Sequence, residues 1–381
     1  MEETDLPGSK RSPANGARAV LGSQRVRIWA GPRVFNDTPL RLSLPLRAED
    51  GSRSALDMLE NGSGNLRLAS AAPCYEMNAK PKLLVTGAHG FVAGSVLVQA
   101  QTDWEVHALS RGEAPAGIKD QCWHSGDALK LTFLEQLFKS VQPDAIIHTA
   151  AAADIDFCQA NPGPARQVNV ELTRTLATLC RSSGARLVFC STDTIFDGEH
   201  APYEENDPPG PVNVYAETKV EAEQIVHTLG ARGAVARLAL VAGLPLLGAG
   251  NSFLARLLAS FQAGKCVGVP EHEVRTPVDV ITAGQALLEL ARGQHHGIFH
   301  LAGLTRVNRL ELNRTIARRF GFSLDLVFAQ AAGTGRAPRP RDVSMNINKT
   351  RTELKTPMLT LEDGLSLIIE NSHSGAANIH T

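Results

Sequence analysis

The chain has no C-x-x-C pair, no H-E-x-x-H or comparable histidine spacing, no apolar run approaching a membrane helix, and no excess of either charge. Each absence removes a class of function. Its six cysteines, Cys74, Cys122, Cys158, Cys180, Cys190 and Cys266, stand singly, which reads as free thiols in a reducing compartment. The twelve histidines include the pair His295 and His296 but no ligand pattern, so no metal site is expected. A membrane span needs roughly 18 to 20 apolar residues, and no charged-then-apolar signal opens the chain, so the expectation is a cytoplasmic location and no membrane partner. With 38 basic against 39 acidic residues the net charge is -1, too small to attract a nucleic-acid backbone. Tyrosine is scarce as well, with three in 381 residues.

What is present suits a globular α/β protein, since 43% hydrophobic and 20% charged residues allow a sizeable core. Residues 1–76 lack sustained periodicity and read as a poorly ordered N-terminal extension, with Met77 a candidate biological start. From Lys82 onward, short apolar runs ("KLLVTG", "EVHALS", "AIIHTAAA", "RLVFCSTD", "AVARLALVAG") alternate with helical patterns ("GSVLVQAQ", "LTFLEQLFKSV", "QVNVELTRTLATLCRSSG", "ETKVEAEQIVHTLG"). That alternation predicts a doubly wound parallel sheet over residues 77–243. Residues 244–370 become irregular and are expected to form a smaller C-terminal α/β substrate-binding subdomain with sheet-completing segments, followed by a flexible tail over 371–381.

"LLVTGAHGFVAG" places Gly87 and Gly90 directly after the first strand and before a helix opening near Phe91. Glycines there allow a tight turn and close approach of backbone N–H groups to a dinucleotide pyrophosphate at a helix N-terminus. An NAD site usually carries an acid about 20 residues further on. Here the second strand ends in Ser110 and Arg111, and a guanidinium suits a 2′-phosphate, so NADP(H) is preferred, with NAD(H) possible. Asp127 in "HSGDALK" is placed to accept from an adenine amino group or to cap a helix.

In "NVYAETKVEAE", Tyr215 and Lys219 sit at i and i+4, on one helix face. A phenol titrates near 10, so it serves as a proton donor and acceptor where a cation stabilises its conjugate base. About two dozen residues earlier, "FCSTDTIFDG" brings Ser191 and Thr192 to the end of a strand, hydroxyls able to bond a substrate carbonyl. Arg339 and Arg341 in "GRAPRPRD" are suited to meet a diphosphate or to close the subdomain over the substrate.

Together, "TGAHGFVAG", "STDTIFDG", "PYEENDPPGPVNVYAETKVEAE" and "RPRDVSMNINKTRTEL" resemble the extended short-chain dehydrogenase/reductase family, in its dTDP-4-dehydrorhamnose reductase branch, over roughly residues 80–370. The resemblance implies a Rossmann fold and reduction of a keto group, most closely on a nucleotide-linked 4-keto-deoxysugar. It implies Tyr215 as general acid, Lys219 on the nicotinamide ribose and lowering the phenol pKa, and Thr192 orienting the carbonyl. It further implies the turn Gly87, His89, Gly90, Phe91, Val92 around the pyrophosphate, Ala150 and Ala151 along the cofactor cleft, and Asn169 near the site. Asp193, Thr194 and Arg339 are the candidate substrate contacts. Thr194 and Leu240 replace aromatic residues of the branch, which leaves the particular sugar open. The branch also contains the regulatory β subunit of methionine adenosyltransferase, and the superfamily contains epimerases and dehydratases. A nucleotide sugar is the expected partner, with a homodimer as a possible assembly.

Overall fold

A computed structural model describes residues 79–115, 122–247, 250–331 and 336–377. The segment 1–76, Met77 and the final residues 378–381 lie outside these. Seven parallel strands form the central sheet: β1 (Lys82–Thr86), β2 (Glu105–Ser110), β3 (Cys122–Ser125), β4 (Ala145–His148), β5 (Arg186–Thr192), β6 (Gly233–Leu238) and, after four short strands, β11 (Gly297–Leu301). The short ones are β7 (Val241–Ala242), β8 (Val267–Val269), β9 (Val274–Arg275) and β10 (Val278–Asp279); β12 (Val307–Asn308) and β13 (Val327–Ala329) complete the set. Spatial order is β11-β6-β5-β4-β1-β2-β3, so the chain winds outward in both directions from a reversal between β1 and β4.

Alternation along each strand sends neighbouring side chains to opposite faces. Leu83, Val85, Ile147 and Val188 feed one core, and Leu84, Ile146, Leu187 and Phe189 feed the other. The first is covered by α1 (Phe91–Ala100) and the later helix α8 (Val280–Arg292). The second lies under α2 (Leu131–Val141), α5 (Leu172–Ser183) and α6 (Val214–His227), which follow the short helices α3 (Ile155–Ala160) and α4 (Pro162–Arg166). Gly284 lets α8 settle on α1: a Cβ there would stand 2.5 Å from Gln99 and 2.8 Å from Ser95. Ser95 in turn donates to the Val280 carbonyl at 2.7 Å.

A third core gathers Leu254, Leu257 and Phe261 of α7 (Phe253–Gln262) with Leu312 and Ile316 of α9 (Arg309–Arg319) and Leu365 and Ile368 of α11 (Leu361–Ala377). The remaining α-helix among the described residues, α10 (Asn348–Glu353), lies against β11, where Thr350 donates to the His300 carbonyl at 2.8 Å. The helical backbone of α11 runs through residues 371–377, which polar composition assigned to a tail. The second half of the chain is spatially divided, because β11 pairs with β6 along Ile298↔Val235 and Phe299↔Ala236 and so belongs to the first sheet.

Candidate active site

At the C-terminal edge of the sheet, the loops after β1 and β4 meet where strand order reverses. Gly87 has φ +72°, and a Cβ on it would stand 2.7 Å from both Cα and N of Ala150. Only glycine lets these loops touch. Gly90 then begins α1 with no side-chain cap, whereas α6, α7, α8 and α9 are capped by Asn213, Ser252, Asp279 and Asn308. Free N–H groups at that helix end suit an anion.

The turn opens on a cavity of about 360 Å³ walled by Gly87, His89, Gly90, Ser110, Arg111, Asp127, Ala150 and Ala151. Eight residues expected from sequence thus converge. Thr149, Val168 and Leu172 also line it and were not anticipated. The His89 Nδ1 bonds the Ser110 hydroxyl, and its ring stands edge-on to Trp123 with centroids 4.9 Å apart. Asp127 accepts from the Leu129 N–H at 3.1 Å, closing the turn before α2, whose N-cap is Lys130. Phe91 and Val92 are not in this wall: Phe91 packs toward Gly243 and Gly250, and Val92 against the first core. Asn169 is not in it either, and sits in a π-helical turn, Gln167–Glu171.

Thr192, Tyr215 and Lys219 come together beside this cleft. Asn213 starts α6 by accepting from the Ala216 N–H at 2.9 Å, and its Nδ2 donates to the Pro338 carbonyl at 3.0 Å. Tyr215 follows in the first turn, half-buried, with Thr192 at the end of β5 near its hydroxyl. One helical turn on, the buried Lys219 Nζ lies 6.0 Å from the Tyr215 ring centroid and 4.6 Å from that of Phe189, and donates to the Cys190 carbonyl at 2.8 Å. Burial pushes the phenol above its ordinary pKa, with Thr192 opposing. Lys219, expected to lower it, does not offset that burial and is itself pushed down to about 8 by burial.

Behind these groups runs a buried polar chain that sequence reasoning did not reach. Thr86 at the end of β1 meets His148 Nδ1 at 2.7 Å, and His148 Nε2 meets Thr173 Oγ1 at 3.1 Å. Thr173 spends its one proton on the Asn169 carbonyl at 2.8 Å, so His148 must donate from Nε2 and accept at Nδ1. Burial, reinforced by the Lys219 charge, pushes this imidazole down to about 3 and keeps it neutral. The Asn169 side chain accepts from the Ala152 N–H at 2.8 Å and donates to Thr218 Oγ1 at 2.9 Å, tying the loop after β4 to the Tyr215 helix. Its contacts are with protein.

Two expectations change. Ser191 points to the other face of β5 from Thr192 and donates to Glu223, which pairs with Arg237, so it is not available to a substrate carbonyl. Arg339 is held in two parallel bonds by Asp156 of α3, Nη1 at 3.0 Å and Nη2 at 2.8 Å, while Arg341 is exposed and its carbonyl accepts from the Val274 N–H. Arg339 is thereby engaged with α3, and its loop is tied to that helix. The guanidinium holds the Asp156 carboxyl well below the usual carboxylate range. Asp193, next to Thr192, is buried and pushed up to about 6 by that burial, with Arg275 opposing at 3.9 Å. The Thr194 hydroxyl lies 3.1 Å from that of Thr192.

A glycine turn at the switch point of this sheet, with threonine, tyrosine and lysine gathered from β5 and α6, defines an extended short-chain dehydrogenase/reductase. Within that class the chain belongs to the RmlD substrate binding domain family, which it matches over residues 81–374. It is 27% identical over 292 residues to a probable low-salt glycan biosynthesis reductase of Haloferax volcanii, covering 74% of this chain and 96% of that one. It is also 27% identical over 279 residues to the methionine adenosyltransferase 2 subunit beta of Bos taurus, covering 71% and 82%. Among solved structures, a hypothetical dTDP-4-dehydrorhamnose reductase from Sulfolobus tokodaii superimposes with a TM-score of 0.65 at 27% identity, covering 74% and 98%. The NADP complex of dTDP-4-dehydrorhamnose reductase from Bacillus anthracis shares the fold, with a TM-score of 0.67 at 21% identity, covering 77% and 99%.

Proposed function

We propose that the protein is an NADP(H)-dependent reductase of a keto group on a nucleotide-linked 4-keto-deoxysugar. The observation that supports this reading is the gathering of Thr192, Tyr215 and Lys219 beside the glycine turn, with the Lys219 Nζ 6.0 Å from the Tyr215 ring centroid. The Gly87–Ala150 approach and the uncapped start of α1 fit a dinucleotide pyrophosphate, His89, Ser110 and Arg111 would surround its 2′-phosphate, and Asp127 its adenine. When bound, the nicotinamide supplies hydride to the keto carbon.

The protein's residues do the rest. The Thr192 hydroxyl orients the substrate oxygen, and Tyr215 gives its proton to that oxygen as negative charge develops there. Lys219 holds a positive charge under the phenol and binds ribose hydroxyls. A dehydratase of this superfamily would need a base beside Asp193, and Thr194 carries none.

A second reading, a regulatory subunit without turnover, is supported by the likeness to methionine adenosyltransferase 2 subunits beta, which reaches 29% identity over 281 residues for that of Danio rerio. The deciding experiment offers the purified protein a panel of nucleotide-linked 4-keto sugars with NADPH or NADH. Oxidation of NADPH with at least one sugar, and weaker binding of NADH, are expected. No oxidation anywhere, together with a single stoichiometric protein partner in pull-down, would transfer the assignment to the regulator.

The glycine turn gives a separate expectation. In Gly87→Val the new side chain meets the Ala150 backbone at a positive φ, so the loops after β1 and β4 must part. NADPH affinity measured by fluorescence titration should fall by about tenfold or more, the loss of one or two backbone bonds to the pyrophosphate.

A further inference from the structure

At the end of β5 the chain passes from Thr192 straight into a single 3₁₀ turn, Asp193–Ile195, which gathers the oxygens of three successive side chains. The Thr192 hydroxyl accepts from the Thr194 backbone N–H at 3.2 Å. It also lies 3.2 Å from Asp193 Oδ1 and 3.1 Å from the Thr194 hydroxyl, with Tyr215 near. A threonine hydroxyl has one proton and two lone pairs. The Thr194 N–H fills one lone pair, so Asp193, Thr194, Tyr215 and a substrate oxygen compete for the other lone pair and the proton.

The charge on Asp193 decides that competition. An ionised carboxylate only accepts, so it takes the Thr192 proton and leaves none for a substrate carbonyl. The open lone pair of Thr192 then draws the proton of Thr194 or Tyr215 inward. A protonated Asp193 reverses each bond: its O–H fills that lone pair, the Thr192 proton turns outward, and Tyr215 keeps its own proton for the same substrate oxygen. The surroundings favour the protonated form. Asp193 is 4% exposed, and among the described residues its Oδ2 has no hydrogen-bond partner. A bare oxygen opposes burial of a charged carboxylate far more than of a neutral acid. The charged and titratable groups facing it are Arg275 of β9, with Nε 3.9 Å away, Arg309 of α9 and Tyr215 of α6. Arg275 is shared with the Glu273 carboxylate at 3.5 Å and with the carbonyls of Val274 and Arg341.

We propose that Asp193 is a positioning residue for the reduction, which in its neutral form donates to Thr192 and so aims the Thr192 proton at the substrate oxygen. It acts through Thr192 and does not touch the substrate, in place of the contact expected from sequence. This step rests on the reductase reading.

The test follows kcat/KM of the full chain with NADPH and a keto sugar from about pH 5 to 8. Burial pushes Asp193 up to about 6, so its proton is present below that pH and lost above it. Wild-type kcat/KM should fall by about tenfold as pH rises through this range, onto a plateau that lacks the Thr192 proton. In Asp193→Asn, Arg275 holds the amide oxygen and the amide nitrogen donates to Thr192 at every pH. The step should vanish, and kcat/KM at neutral pH should rise about tenfold over wild type. In Thr192→Val kcat/KM should be low throughout with no step, because the effect passes through that hydroxyl. A second readout needs no turnover: keto-sugar binding to the NADP⁺ form, by calorimetry in buffers of different ionisation enthalpy. At about pH 6.5 wild type should take up roughly half a proton, and Asp193→Asn and Thr192→Val none. Turnover with coincident profiles for wild type and Asp193→Asn, a slower Asp193→Asn at neutral pH, or no proton uptake would each overturn the proposal and leave the reductase reading in place. Proton uptake without turnover of any keto sugar would leave the Asp193–Thr192 arrangement standing and remove the reductase reading.

Discussion

In Tyr215→Phe, keto-sugar reduction falls by about 10²–10⁴-fold while NADPH affinity stays within about twofold, because the variant removes one hydroxyl from a site that otherwise keeps its shape. In the proposed reaction the phenol is the proton source for the carbonyl that Thr192 orients. Its raised pKa means that it carries the proton throughout the neutral range. Two groups nearby titrate near the working range, Asp193, raised to about 6, and Lys219, lowered to about 8. As pH rises through the latter value the ammonium is lost, the developing charge at Tyr215 loses its support, and kcat/KM falls. Below it the ammonium is complete. A kcat/KM profile that is flat between about 6, where Asp193 titrates, and about 8, and falls above about 8, is therefore expected of wild type. Retention of wild-type turnover in Tyr215→Phe would refute the assignment of the proton donor.

How far the sequence carried this picture depends on whether the signal was local. The helix at "LTFLEQLFKSV" coincides with α2, Leu131–Val141, because apolar residues at three and four spacing face one core and nothing long-range alters its ends. α6 begins three residues before "ETKVEAEQIV", because Asn213 caps it and so places Tyr215 in its first turn. The run "AIIHTAAA" ends as strand at His148, where Thr149 and the following residues leave the sheet to meet Gly87. Tyr215 and Lys219 were legible because i and i+4 define a face without further knowledge. Glu223, Arg237 and His148 were not, since their roles arise from pairings across 14 to 63 residues. Arg339 shows the converse: a basic loop looks free in sequence, and its partner, 183 residues away in α3, exists only in the fold.

Glu223→Leu should be the most destabilising single change under these helices. Its carboxylate is 6% exposed and faces Arg237, itself 2% exposed, with Nη2 at 2.9 Å and Nε at 3.2 Å from both oxygens. Ser191 donates to the same carboxylate. Arg237 also donates to the Glu205 carbonyl at 3.1 Å and stacks on Phe196 at 5.2 Å, contacts that cannot neutralise it once Glu223 is gone. An uncompensated buried guanidinium costs about 3–5 kcal/mol, and in a chain of this size that lowers Tm by roughly 5–15 °C. The companion double variant, Glu223→Leu with Arg237→Met, removes both charges, leaves Ser191 one bond short, and should recover most of the loss. Denaturation of the wild type, Glu223→Leu and the double variant measures the difference. If the double variant is as unstable as Glu223→Leu, packing rather than charge compensation holds β5 and β6 under α6, and the pair has been misread. If it recovers, the pair's contribution lies in specificity: it fixes the register in which Thr192 on β5 meets Tyr215 on α6, because Glu223 and Tyr215 share that helix and Ser191 and Thr192 share that strand.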